Sequence, residues 1–280
     1  EIVEQAFPPV DQDEETQPVD EGPLEVLRYA PEGEVAIAPF INVTFNQPMV
    51  PLDTVEGLSN EDVPVQIEPY LPGTWRWLGT KTLNFQYDSE EIDRLPMATA
   101  YTVTIPAGIE SAIGGRLQET VEFSFRTPPP TLEQSYPSSD SEPLEPVLFI
   151  AFDQRIDPEA VLETIQVLAK GESFSLELAT EEQITADEIV SRLAENAEEG
   201  RWLAFKVREP LPTNATVSVN VGPDTPSAEG PLVTVQVQSF SFQTYAPLKI
   251  EDQNCEGRQD ACSPFSSLYI HFNHPIDVAP

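Results

Sequence analysis

Few residues in this 280-residue chain are of types that do chemistry at useful spacing. Cys255 and Cys262 are its two cysteines, and its two histidines, His271 and His274, follow close behind. These are zinc-ligand types, but tetrahedral zinc needs four ligands that converge. At i and i+3 on a strand, His271 and His274 point to opposite faces. The expected state of Cys255 and Cys262 is a local disulfide in an extracytoplasmic protein, with a reduced, unrelated pair as the alternative. No Asp-x-Asp-x-Asp-Gly calcium loop, Gly-x-Ser-x-Gly elbow, phosphate-cradling Gly loop or His-Glu-x-x-His occurs. No Ser or Cys nucleophile arrangement stands near the histidines. The chain is therefore expected to be no enzyme, with no catalytic, cofactor-binding or metal residue.

The tryptophans offer a second chemistry, the stacking of sugar rings. Trp75 and Trp77 alternate with Arg76, and Trp202 stands alone. Hairpin aromatics more often serve core and cross-strand packing, which is the favoured reading. Asn42-Val43-Thr44 and Asn214-Ala215-Thr216 fit the glycosylation sequon. Both lie on or beside expected strands, and the pattern is too common to carry weight.

Charge excludes more than it assigns. With 48 acidic and 14 basic residues the formal net charge is −34. Such a surface repels phosphate backbones, so no nucleic-acid partner is expected, and anionic membrane surfaces are disfavoured. No stretch approaches the roughly 20 apolar residues of a membrane-spanning helix.

The elements follow from a motif written three times. It reads Asn42-Val43-Thr44-Phe45-Asn46-Gln47-Pro48, then Phe149-Ile150-Ala151-Phe152-Asp153-Gln154-Arg155, then Tyr269-Ile270-His271-Phe272-Asn273-His274-Pro275. Phe45, Phe152 and Phe272 stand 107 and then 120 residues apart, a spacing of whole domains. The 29 prolines, unfit for helix interiors and central strands, favour short strands and long connections. The fold class is all-β: tandem Ig-like antiparallel β-sandwiches. Residues 1–22 read as an acidic disordered tether, 23–128 as the first sandwich and 131–245 as the second. Residues 246–280 read as the start of a third, truncated domain. Pro128-Pro129-Pro130 is a stiff linker. Within the second sandwich, Thr185-Ala186-Asp187-Glu188 reads as a capping box, opening one inserted amphipathic helix over about residues 185–199 that covers a sheet edge. Asp157-Pro158-Glu159 reads as the start of a short helical segment.

Several stretches carry a resemblance. Pro72-Gly73-Thr74-Trp75-Arg76-Trp77-Leu78-Gly79-Thr80-Lys81-Thr82-Leu83, Leu95-Pro96-Met97-Ala98-Thr99-Ala100-Tyr101 and Phe123-Ser124-Phe125-Arg126-Thr127 look like the N-terminal region of bacterial α2-macroglobulins. Pro226-Ser227-Ala228-Glu229-Gly230-Pro231 fits the same proteins, as does Cys255 with Cys262 ahead of Phe272-Asn273. The resemblance implies a large periplasmic protein, tethered through a lipid anchor upstream of residue 1, that entraps proteases. It implies a bait segment and, in many members, a Cys–Gln thioester. This chain has no Cys-x-Glu-Gln sequence and no identifiable bait, so both would lie downstream. Its partners would then be neighbouring macroglobulin domains of the same chain and, for the whole protein, proteases. The rival reading is the Ig-like array of a surface adhesin or envelope scaffold.

Overall fold

A computed structural model describes residues 22–50, 63–89, 94–138, 141–255, 267–274 and 276. The acidic segment before Gly22, and Cys262, lie outside the described residues. By contacts the chain divides into two compact units. The first takes Glu1–Gly33, Ile37–Leu95 and Tyr101–Phe125; the second takes Glu34–Ala36, Pro96–Ala100 and Arg126–Pro280.

The first repeat contributes β1 (Val26–Ala30), β2 (Gly33–Glu34), β3 (Phe40–Phe45), β4 (Gln66–Glu68), β5 (Gly73–Leu78), β6 (Thr82–Tyr87), β7 (Ala100–Ile105) and β8 (Val121–Arg126). These form two four-stranded sheets, ordered β1-β3-β6-β5 and β2-β8-β7-β4. Alternation decides what is inside. In β3, Ile41, Val43 and Phe45 are buried while Asn42 and Thr44 face the other way. β7 repeats this with Tyr101, Val103 and Ile105. On the outer face the polar residues pair across strands: Asn84 Nδ2 donates to Asn42 Oδ1 at 2.8 Å, and the Thr44 and Thr82 hydroxyls lie 3.0 Å apart.

Gly73 shows how close the packing is. A Cβ there would lie 2.3 Å from the Phe85 ring and 2.5 Å from the Gln86 carbonyl oxygen. Gly73→Ala is expected to cost about 1–3 kcal/mol, read as a lower urea midpoint at unchanged slope. A midpoint equal to that of the parent chain would show that the hairpin relaxes at no cost.

The second repeat has β9 (Leu132–Tyr136), β10 (Ser141–Glu142), β11 (Leu148–Phe152), α1 (Pro158–Leu162), β12 (Ile165–Ala169), β13 (Glu172–Phe174), β14 (Leu176–Leu178), α2 (Glu181–Ala186), α3 (Glu188–Asn196), β15 (Trp202–Val207), β16 (Thr216–Val221) and β17 (Gln238–Thr244). Its sheets are ordered β14-β15-β11-β9 and β10-β17-β16-β12-β13, antiparallel but for the β10–β17 pair. Leu148, Ile150 and Phe152 enter the core between the sheets with Leu203, Phe205, Val217, Val219 and Phe242.

The inserted helix differs from expectation in start, number and place. Asp187, not Thr185, caps α3, its carboxylate accepting from Ile189 N and Val190 N, both at 3.0 Å. Thr185 lies inside α2, whose capping box is formed by Thr180 and Gln183. Rather than covering an edge, α3 covers a face. Val190 is fully buried with Phe149, Ala151 and Ala204, and Leu193, Ala194 and Trp202 pack around them. That explains the continuous apolar run of β11, every residue of which is buried: it has a core on both sides. β3, with Asn42 and Thr44 at the corresponding outward positions, has no such cover among the described residues.

The third copy is a two-stranded antiparallel hairpin, β18 (Ile250–Cys255) and β19 (Leu268–Phe272). Ile250, Leu268, Tyr269 and Ile270 are exposed on it.

Candidate functional site

The residues first singled out for chemistry do not converge. Trp75 is wholly buried against Phe85, ring centroids 5.0 Å apart; half-buried Trp77 lies 6.2 Å from Phe45. Trp202 stacks on Phe149 at 5.5 Å beneath α3. The three indoles are thus packing residues and form no shared platform. His271 lies in β19, paired with Asp252, while His274 stacks on Tyr245 at 4.5 Å. Cys255 ends β18 half-buried; its expected partner lies outside the described residues. Among the described residues no cluster of three His, Cys, Asp or Glu side chains could hold a metal. Asn42 of the first sequon is engaged with Asn84; Asn214 of the second is exposed with φ +49°.

The motif written three times has one structural job. In each copy the Asn or Asp accepts from the backbone N–H of the residue just before the opening strand: Asn46 from Glu25 N at 2.8 Å, Asp153 from Thr131 N at 2.9 Å, Asn273 from Lys249 N at 2.8 Å. In return its own N–H donates to that same residue's carbonyl, at 3.0, 3.1 and 3.2 Å. A short side-chain acceptor one residue past the strand is needed, hence Asn or Asp.

The next residue reaches further. Gln47 and Gln154 are buried, and each accepts from a serine far along the chain: Ser111 Oγ at 2.6 Å and Ser227 Oγ at 2.7 Å. The following alanines are also fixed, Ala112 N donating to Pro48 O at 2.8 Å and Ala228 N to Arg155 O at 2.9 Å. Ser111-Ala112-Ile113-Gly114 and Ser227-Ala228-Glu229-Gly230 are therefore equivalent loops. They differ at one position, where Ile113 is half exposed and Glu229 is engaged.

Glu229 makes the site. Its Oε1 accepts from Arg155 N and its Oε2 from Met97 N, both at 2.9 Å. Leu232 N donates to Ala98 O at 2.7 Å, so segment 96–100 is tied to loop 229–232 on two sides. All these residues belong to the second unit. Segment 96–100 is itself held by Thr127. That hydroxyl donates to Pro96 O at 2.9 Å and accepts from Thr99 N at 3.1 Å, and Thr127 N donates to Thr99 O at 2.9 Å. Ala98, at φ +53°, adopts the left-handed conformation that turns its carbonyl outward. Gly230 sits where no side chain fits: a Cβ would lie 2.1 Å from Thr99 Oγ1, 2.4 Å from Met97 O and 2.5 Å from Ala98 O. A carboxylate bridging two backbone amides, with a glycine beside it for close approach, is a docking device.

The two stretches lie far apart in the sequence, with no local pattern that joins them. The signal was available in the recurrence of Asn-Gln or Asp-Gln with a later Ser-Ala-x-Gly.

Residues 20–127 match the family of bacterial Ig-like domains. An α2-macroglobulin homologue of Nostoc sp. is 25% identical over 251 residues, covering 84% of this chain and 13% of its own length. Circularly permutated Ras protein 2 of Dictyostelium discoideum is 28% identical over 195 residues, covering 66% of this chain and 5% of its own length. The chain thus spans only a small part of the curated relatives it matches. Among solved structures, native α2-macroglobulin from Escherichia coli spanning domains MG0-NIE-MG1 aligns over 84% of this chain and 75% of its own. That alignment has 10% identity and a TM-score of 0.24, too loose to carry any residue correspondence. The resemblance to bacterial α2-macroglobulins read from the sequence is borne out by the Nostoc relative, and the Ig-like β-sandwich by the family match and the sheets.

Proposed function

We propose that this chain is the non-catalytic, N-terminal scaffold of a bacterial α2-macroglobulin-type protease trap. The observation that carries the reading is the similarity to the Nostoc homologue over 84% of the chain, which takes in most of both repeats. The chemistry of this chain agrees with a scaffold. Its distinctive polar groups hold backbone to backbone, as Thr127 and Glu229 do. Bait and thioester lie elsewhere in the whole protein, which is extracytoplasmic and carries the Cys255–Cys262 disulfide.

Mass measurement on the whole protein that carries this chain is the test. Treatment with methylamine is expected to add one amine per chain and release one thiol, as opening of an internal thioester does. Limited proteolysis by unrelated proteases is expected to cut first within one common segment. A chain with neither response is no trap, and the Ig-like array of an adhesin then takes its place. Non-reducing peptide mapping of exported material should recover Cys255 and Cys262 in one cross-linked species; two alkylatable thiols would refute that part.

A further inference from the structure

The docking turn occurs twice, and among the described residues only the first copy is covered. The second copy is Pro212–Thr216, held by Thr244 as Pro96–Ala100 is held by Thr127. Thr244 Oγ donates to Pro212 O at 2.7 Å and accepts from Ala215 N at 2.9 Å, and Thr244 N donates to Ala215 O at 2.9 Å. Asn214 N donates to Tyr245 O at 3.0 Å, the counterpart of Ala98 N to Pro128 O at 2.9 Å. Asn214 has φ +49° where Ala98 has +53°. Backbone for backbone the two turns are the same.

Their surroundings differ. Met97 and Ala98 are 3% and 0% exposed because loop 229–232 lies on them, whereas Thr213 and Asn214 are exposed. Met97 N and Ala98 O are taken by Glu229 and Leu232; among the described residues Thr213 N and Asn214 O have no partner. Beside the second turn is a cleft of about 530 Å³, lined in part by Asn214, Thr244, Tyr245 and Lys249. In the first repeat a cleft of about 500 Å³ lies beside Arg126 and residues 128–131, the counterparts of Gln243 and residues 245–249, and is walled by Leu232 to Gln236. Two cations attend the second turn: Lys170 Nζ donates to Thr213 O at 2.8 Å, and Lys249 lines the cleft. In a chain of net charge −34, this places positive charge where a carboxylate would arrive.

We infer that Pro212–Thr216 is the docking site for a Ser-Ala-Glu-Gly-type loop of a further Ig-like domain, placed in sequence after β19 as Glu229 is placed after β11. Its Glu carboxylate takes the Thr213 amide, its Gly lies on the Thr213 and Asn214 carbonyls, and a backbone N–H beyond it donates to Asn214 O. A second copy of this chain is not the occupant. The equivalent loop of the first repeat carries Ile113 in place of the Glu, and the Glu229 loop is already engaged. The inference rests on the repeat alone and is independent of what the whole protein binds.

Amide hydrogen exchange compares the whole protein with residues 1–280. Met97 is expected to exchange slowly in both. The Thr213 amide is expected to exchange at least about tenfold more slowly in the whole protein than in the shorter chain. Equal rates, fast or slow, would overturn the proposal. So would protection of Thr213 in the 280-residue chain that grows with its concentration, since the occupant would then be a second copy.

Discussion

Trp75→Ala is expected to remove about 3–5 kcal/mol of stability from the first unit, a large share of the roughly 5–15 kcal/mol that a domain has. Trp75 is fully buried, tilted against Phe85, and level with the buried Phe85 and Ile41 of the neighbouring strands. Truncation leaves a cavity that a sheet held by β5–β6 and β3–β6 pairing cannot collapse around. Trp77→Ala should cost far less, because Trp77 is half-buried and touches Phe45 at a 6.2 Å centroid distance. Trp75→Phe separates volume from polarity. The Trp75 Nε1 is buried with no acceptor, so the smaller ring sheds an unpaired donor while losing packing. Its cost should fall well below that of Ala. Urea unfolding followed by far-UV circular dichroism reads all three, and a Trp75→Ala midpoint within error of the parent would refute the core assignment. The same burial bears on sugar binding: oligosaccharides should leave tryptophan fluorescence unchanged.

Much of this fold was legible because strands advertise themselves by period. β3, β7 and β16 alternate buried and half-exposed residues, and Phe123-Ser124-Phe125-Arg126-Thr127 recurs as Phe240-Ser241-Phe242-Gln243-Thr244. The run Val147–Phe152 is apolar at every position, as a buried strand is, whereas the helix beside it was expected at a sheet edge. The outward Phe149 and Ala151, against Asn42 and Thr44 in the first repeat, called for an apolar lid on the face rather than at the edge. The helix start was missed because two acceptors compete within eight residues. Thr180 closes a capping box with Gln183 and Asp187 caps the next helix, so Thr185 is left inside the first, its hydroxyl donating to Glu181 O. β13 and β14, which join different sheets, were missed too, these three-residue strands being shorter than any periodic signal. The docking site was least legible, since it joins backbone groups to one carboxylate across 132 positions of sequence. Every residue type but proline has a backbone N–H, so the amides leave no mark; only Gly230, within the recurring Ser-Ala-x-Gly, leaves a trace.

That trace makes the second large effect testable at two adjacent residues. Glu229→Gln keeps shape and reach but replaces one carboxylate oxygen by a donor, so Met97 N or Arg155 N must face an NH₂ group. Losing one charge-assisted bond to a half-buried amide is expected to cost about 2 kcal/mol. Exchange of the amide left unpaired should accelerate by about thirtyfold, since each 1.4 kcal/mol is tenfold. Gly230→Ala acts through space instead. Two of the three atoms its Cβ would strike are backbone oxygens, which cannot swing aside as a side chain does. Loop 229–232 must lift, and both ties on segment 96–100 loosen together. Met97 and Leu232 amides should then exchange faster in concert, while the Thr99 amide, held by Thr127, stays protected. Acceleration of all three would mean that the Thr127 turn depends on the loop. No acceleration in either variant would mean that segment 96–100 is held by Thr127 alone, and the docking role assigned to Glu229 would fall with it.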